Sequence, residues 1–268
     1  MNHRDLISTD EAGRIAGVGP SSIKRWADNG MLPCVKTPGG HRRFDRFELE
    51  LFLNTKKGMG DPGVNPVVPI FSHILRANRH EVDSALLGAR SRLGAWYLVA
   101  EEIGLCLDQL GKDWERGHIS VDEEHRASEC LRRSITRICD TFPGFEGGKT
   151  CILAAAHGDD HTIGLNLAEL CLREVGWHPI WLGRMTPMES LHKLIESQRV
   201  DMIALSASQF STDEATLEAM VQELIIPCEK QGISMVLGGN GLWPDHPGNA
   251  KRLKNFRDFH SLLLELGI

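Results

Sequence analysis

The chain reads as a multidomain protein in three parts: a small helix-turn-helix, a four-helix bundle, and an α/β domain with a doubly wound parallel sheet. Three observations carry that reading. A capped helix, a glycine turn and a second helix open the chain. Apolar residues then recur at three- and four-residue steps through its middle. Beyond Gly147-Gly148-Lys149, short apolar runs alternate with helical periods, as in a parallel sheet covered on both faces.

The first part covers residues 1–57. Ser8 is followed three residues later by Glu11, the spacing of a capping box, and Ala12, Ile15 and Ala16 supply an apolar face. Gly17-Val18-Gly19-Pro20 is a tight turn, and Ser21-Ser22-Ile23-Lys24-Arg25-Trp26-Ala27 begins a second short helix. Two helices joined by a glycine turn make a helix-turn-helix. The second helix of such a pair meets the DNA major groove near its N-terminus, where Ser21, Ser22, Lys24 and Arg25 lie. The run Thr37-Pro38-Gly39-Gly40-His41-Arg42-Arg43-Phe44 reads as a hairpin-like wing, with His41, Arg42 and Arg43 as further DNA contacts. Two adjacent guanidinium groups match the geometry of phosphates, so Arg42 and Arg43 are expected to clamp the backbone.

Charge agrees with this division. Residues 1–57 hold ten Lys/Arg against seven Asp/Glu, a balance of +3, whereas the remainder stands at −9 within a net charge of −6. A basic head on an acidic body puts any double-stranded DNA at the N-terminal end. The block from Ser8 to Phe44 resembles the winged helix of MerR-type transcription regulators. Its Arg25-Trp26 and its wing are most similar to the subgroup that governs carotenoid genes. Residues 58–69, rich in Gly and Pro, read as a flexible linker.

The second part, 70–145, is predicted to hold helices near 70–77, 80–90, 92–110 and 121–141. In the last, Ala127, Cys130, Leu131, Ser134, Ile135 and Ile138 follow helical steps. Four helices with short connections form a bundle. The third part, 148–268, is predicted to place strands at 150–156, 178–182, 201–205 and 233–237. Its helices are expected at 162–175, 187–197, 212–230 and 246–265.

The run His157-Gly158-Asp159-Asp160-His161-Thr162-Ile163-Gly164 lies between the first of these strands and the first helix. An imidazole there sits at the carboxyl end of a parallel strand, where open α/β sheets bind ligands. Asp159 can hold one ring nitrogen of His161 and raise the basicity of the other, as carboxylates do behind metal-bound histidines. An isolated Asp-x-His is commonly no more than a surface histidine. Two later strand ends meet the same rim: Ser206, and Gly238-Gly239, whose small size admits a bulky group.

Together, Asp159-x-His161-x-x-Gly164, Ser206 and Gly238-Gly239 resemble the Rossmann-like cobalamin-binding domain of methionine synthase and corrinoid-dependent mutases. The resemblance covers about 148–268. It implies that His161 is the lower axial ligand of cobalt, in place of the cofactor's dimethylbenzimidazole. The nucleotide tail would then enter a slot lined by Ser206, Gly238 and Gly239. One departure stands out: the family usually reads Ser-x-Leu, and this chain reads Ser206-Ala207-Ser208.

Trp114, followed after nine residues by Glu124-His125 in the part just ahead, resembles the light-sensing B12 repressors of the CarH group. That resemblance implies that Trp114 packs on a 5′-deoxyadenosyl group with Glu124 and His125 beside its ribose. Some members carry a histidine directly after the tryptophan, able to ligate cobalt once the adenosyl group is lost. Here Glu115 stands in that place, which leaves His118, His125 and water as alternatives.

The expected function is a light-responsive transcription repressor, not an enzyme, with adenosylcobalamin as chromophore. The resemblance implies a dark tetramer that holds its operator and releases it on photolysis. A cobalamin sensor indifferent to light is the first alternative, and a corrinoid methyl carrier the second, although such a carrier has no use for a DNA-reading head. A domain that binds haem, or no ligand, is a further one. No uncharged run is long enough to span a bilayer, and the seven cysteines include no Cys-x-x-Cys pair. Both features predict a cytoplasmic protein with reduced thiols and no zinc site.

Overall fold

The computed structural model describes residues 6–28, 32–37, 39–46, 49, 52–53, 70–143, 147–197, 200–211, 213–245 and 247–267. The expected linker, 58–69, and Pro38 of the wing lie outside them. The chain divides into two compact units, between His73 and Ile74.

The first unit holds β1 (Leu6–Ser8), α1 (Thr9–Ala16), α2 (Pro20–Asp28), β2 (Val35–Lys36) and β3 (Arg42–Asp45). The capping box forms: Ser8 Oγ accepts from the Glu11 amide at 3.2 Å, and the Glu11 carboxylate accepts from the Ser8 amide at 2.9 Å. Gly17 closes α1 in the left-handed conformation at φ 64°, and Pro20 opens α2, where its missing N–H costs nothing. The turn is tight at Gly13, whose Cβ would come within 2.8 Å of the Val18 carbonyl oxygen. The strands pair antiparallel in the order β1-β3-β2, so the wing hairpin gains a strand from the residues just before α1. Ile7, Ile23, Trp26 and Phe44 fill the core beneath.

In the next segment lie α3 (Phe71–Leu75), α4 (Arg79–Leu93), α5 (Trp96–Glu115) and α6 (Val121–Cys139). The helix expected from residue 92 begins at Trp96, because Gly94 ends α4 in the left-handed region at φ 83°. A second capping box, Ser120 with Glu123, starts α6.

Beyond it run β4 (Thr150–Ala155), α7 (Ile163–Glu174), β5 (His178–Gly183), α8 (Met188–Ser197), β6 (Met202–Ser206) and α9 (Glu214–Gln231). They are followed by β7 (Ser234–Gly238), β8 (Lys251–Arg252) and α10 (Phe256–Gly267). The five strands are all parallel, in the order β5-β4-β6-β7-β8. One expectation fails: the last helix does not start at 246. The chain turns at Gly248, with φ 64°, adds β8 to the sheet edge, and enters α10 only after Asn255, whose side chain caps the Asp258 amide at 2.7 Å.

Leu191 and Ile195 of α8 and Leu217 and Leu224 of α9 pack on one side of the sheet. On the other, α7 packs on β4 and β5 and meets α5 and α6 of the preceding segment, while α10 packs on α7 and α5. Two carboxylates join those layers. Glu174 on α7 accepts from the Trp96 amide at 2.8 Å and pairs with Arg90 at 2.8 Å. Glu101 on α5 accepts from the amides of Phe256 and Arg257, at 2.7 and 3.0 Å, and so caps α10. Residues 74–268 therefore form one compact unit, and the change near residue 146 is one of architecture rather than of separation.

The strand order creates a crevice. The chain leaves β4 for β5 on one side and returns to β6 on the other, so the connections diverge at the carboxyl ends of β4 and β6. Ligands of open α/β sheets bind at such a switch point.

Candidate functional site

His161 stands at that point, in the loop between β4 and α7. Its Nδ1 lies 3.0 Å from Asp159 Oδ1, and its backbone amide donates to the same oxygen at 2.8 Å. Asp159 is buried, and the loop after β6 supplies its remaining donors. Ser211 Oγ donates to Oδ2 at 2.6 Å, Ser208 Oγ to Oδ1 at 3.2 Å, and the Ser208 amide to Oδ2. Burial opposes ionisation of this carboxyl, but the hydrogen bonds from His161, Ser208 and Ser211 outweigh it and hold it well below the usual carboxylate range.

The hydrogen bond to Asp159 in turn raises the pKa of His161 against partial burial, with added contributions from the charges of Asp159, Glu124 and Asp160. A carboxylate on Nδ1 assigns the proton there and leaves Nε2 as the nitrogen that can bind a metal. Among the described residues no group of three or more His, Cys, Asp or Glu could hold a bare ion.

The glycines and Ser206 meet in a cavity of about 290 Å³, lined by Gly164, Ser206, Gly238 and Gly239 together with Leu165 and Val236. One face of α5, from Glu101 to Asp108, forms another wall, and Leu253, Asn255 and Phe259 a third. Gly239 has φ 80°, and a Cβ there would overlap the Ala207 carbonyl oxygen, so this position requires glycine. The Gly238 carbonyl accepts from Trp243 Nε1 at 2.8 Å, and the Gly239 carbonyl from Arg252 Nη2 at 2.6 Å. Those bonds fix the orientation of the two glycine carbonyls.

Trp114 lies in the last turn of α5 and is exposed. Its ring meets Phe210 edge-on, with centroids 6.5 Å apart, and Phe210 stacks on His161 at 4.8 Å. Trp114 and His161 thus border one cleft. Glu124, in the first turn of α6, is near enough for its charge to act on His161, and its carboxylate accepts from Ser128 Oγ. His125 is exposed, 3.7 Å from the Glu124 carboxylate, and His118 lies 3.5 Å from Asp113. Glu115 is exposed beside Trp114. Sequence reasoning missed Phe210 and Ser211, and it took Ser208 only as a departure from a pattern.

In the first unit Ser21, Lys24 and Arg25 are exposed along α2, Ser22 is half-buried, and His41 is exposed in the hairpin turn. Trp26 belongs to the core, its ring centroid 4.9 Å from that of Phe52. Arg42 differs from expectation. Its guanidinium binds Asp28 at 2.6 Å and the Lys24 carbonyl at 3.0 Å, so it braces the wing against α2 instead of forming a free clamp with Arg43.

These features define a class: a helix-turn-helix head in one chain with a parallel α/β unit that carries its own helical cover. Residues 6–57 match the helix-turn-helix domain family model HTH_17. The chain is CarH-like in sequence, 25% identical over 266 residues to the HTH-type transcriptional repressor CarH of Myxococcus xanthus, across 85% of this chain and 87% of that protein. Among solved structures, the Methanosarcina barkeri monomethylamine corrinoid protein matches 75% of this chain and 97% of its own, with a TM-score of 0.56 at 16% identity. That likeness is one of fold. No described helix is long and apolar enough to cross a membrane.

Proposed function

We propose that this chain is a cobalamin-dependent transcription regulator, acting in the cytoplasm as a light-responsive repressor with adenosylcobalamin as chromophore. The observation that carries the proposal is the pairing of His161, presented by a buried carboxylate, with a glycine-walled slot on the same sheet rim. The residues present fit the group. Nε2 of His161 would hold the cobalt, and the slot between Gly164, Ser206, Gly238 and Gly239 would take the nucleotide tail. Trp114 would cover the upper ligand, with Glu124 accepting from ribose hydroxyls and His125 beside it. When bound, adenosylcobalamin supplies a photolabile cobalt–carbon bond.

In this reading residues 1–57 are the DNA-binding domain, 70–145 the cover and 148–268 the cobalamin domain. The head meets its operator through Ser21, Ser22, Lys24, Arg25, His41 and Arg43, with Arg42 keeping the wing in register. Heads joined in a dark tetramer bind with avidity, and loss of the tetramer releases the operator without any change in a single head. A light-independent cobalamin sensor is the second reading. It is favoured by Glu115 in place of a histidine after Trp114, and by the pairing of His118 with Asp113.

The test is an absorption spectrum of the protein with adenosylcobalamin, in darkness and after green light, with oligomeric state and operator binding followed in parallel. The expected result is a bound, histidine-ligated spectrum that His161→Ala abolishes, and a light-induced loss of both tetramer and operator affinity. Unchanged assembly and DNA binding after illumination would remove the light response and leave the sensor. An unaltered spectrum in His161→Ala would remove the ligand.

A further inference from the structure

Phe210 has no part in the reading above, yet it touches both sides of the cleft. It lies in the loop after β6 and is 52% exposed, so it is not a core residue. Its neighbours pin the backbone: the Phe210 amide donates to Ser208 Oγ at 3.3 Å, and Ser211 Oγ holds Asp159. The ring is therefore the movable part. One side of it stacks on the His161 imidazole, with centroids 4.8 Å apart and planes inclined by 23°. The other side meets Trp114 edge-on, at 6.5 Å and 74°. Both separations fall in the range of favourable aromatic pairs.

The two contacts have different consequences for a flat macrocycle. Stacking on the imidazole face leaves Nε2 open, because its lone pair lies in the ring plane. The contact with Trp114 closes the gap. Groups on opposite faces of a macrocycle are kept apart by two layers of van der Waals contact of about 3.5 Å each, or about 7 Å between nearest atoms. Rings in edge contact at 6.5 Å between centroids are closer than that, and nothing flat passes between them.

We infer that Phe210 is an aromatic latch: its ring bridges His161 to Trp114 and swings off Trp114 to admit a corrinoid. The inference rests on the cobalamin reading of this cleft. A closed form that cannot bind lowers the apparent affinity by the fraction that is open, and it places an opening step ahead of entry. Removing the ring removes the latch without touching the slot or the ligand.

The experiment mixes the full-length protein, free of cofactor, with hydroxocobalamin in a stopped-flow spectrometer. For the wild type, the observed rate should level off with concentration as opening becomes limiting. Phe210→Ala should bind about three- to tenfold faster at equal concentration, with no plateau, and reach the same final spectrum. Phe210→Leu, which keeps an apolar side chain of similar bulk, should fall between them and serves if circular dichroism shows the alanine variant unfolded. An unchanged or slower rate in a folded variant, or loss of binding, overturns the latch and makes Phe210 a fixed wall. A wild type that binds no hydroxocobalamin instead sinks the cobalamin reading, and the latch falls with it.

Discussion

Gly164 and Gly239 both line the slot, but they answer to different demands. Gly239 is required by the backbone, at φ 80° against the Ala207 carbonyl. Gly164 sits in the first turn of α7, and a Cβ there would meet Ser206 Oγ at 3.4 Å, an ordinary contact. Alanine at 164 should therefore leave the fold intact, or stabilise the helix by about 0.5–1 kcal/mol. It should also narrow the slot. The expected outcome is an unchanged or higher Tm with at least about fivefold weaker binding of cobalamin, the cost of crowding a fitted space being about 1–3 kcal/mol. Binding of cobinamide, which lacks the nucleotide tail, should be unaffected, and equal losses for the two corrinoids would refute the slot. Asp159, His161 and Gly164 were legible in the sequence because their relation is local, set by a strand end and the helix that follows. Ser208 and Ser211 were not, since they reach Asp159 across the β4–β6 pairing from 49 and 52 residues away. The pairing of Arg42 with Asp28 was hidden for the same reason: Asp28 lies 14 residues earlier on another element.

At the scale of elements, α4 and α6 are tied by Arg137 and Asp83 at 2.6 Å, with Ser134 Oγ also accepting from Arg137. Burial raises the Asp83 pKa, but hydrogen bonds from Arg137 and Ser134 more than offset it and leave it below the ordinary value. A depressed carboxylate contributes stability that is complete above its unfolded pKa, about 3.9, and is lost as pH falls through the folded value. Asp83→Asn should therefore cost about 1 kcal/mol at pH 7, a modest figure because the pair is partly solvated. The difference should begin to shrink below pH 4 and vanish as the folded carboxylate titrates, as urea unfolding across that range would reveal; a constant difference would assign the loss to packing. The long elements were readable because each carries several periods of its pattern, and the strands buried on both faces read as continuous apolar runs. β1 and β8, at three and two residues, are too short to show any period, and only their pairing partners make them strands.

At the scale of the whole molecule, Glu101 and Glu174 decide what unfolds together. Each carboxylate caps a helix across the boundary between the cover and the α/β segment, so neither can come apart without exposing amides that the other satisfies. The head has its own core around Ile23, Trp26 and Phe44. Heating should accordingly give two transitions, one for each compact unit. A ligand that binds only the folded second unit stabilises that unit alone, by about 2.7 kcal/mol at a free concentration one hundred times its Kd. For a unit of this size its transition should rise by roughly 5–10 °C on addition of cobalamin in darkness. The transition of the head should stay where it was, and His161→Ala should erase the shift. Calorimetry of the full chain with and without cofactor reads all three outcomes. A single transition that moves as a whole would mean that the head and the cobalamin unit fold as one body, and that the signal reaches DNA through packing rather than through assembly.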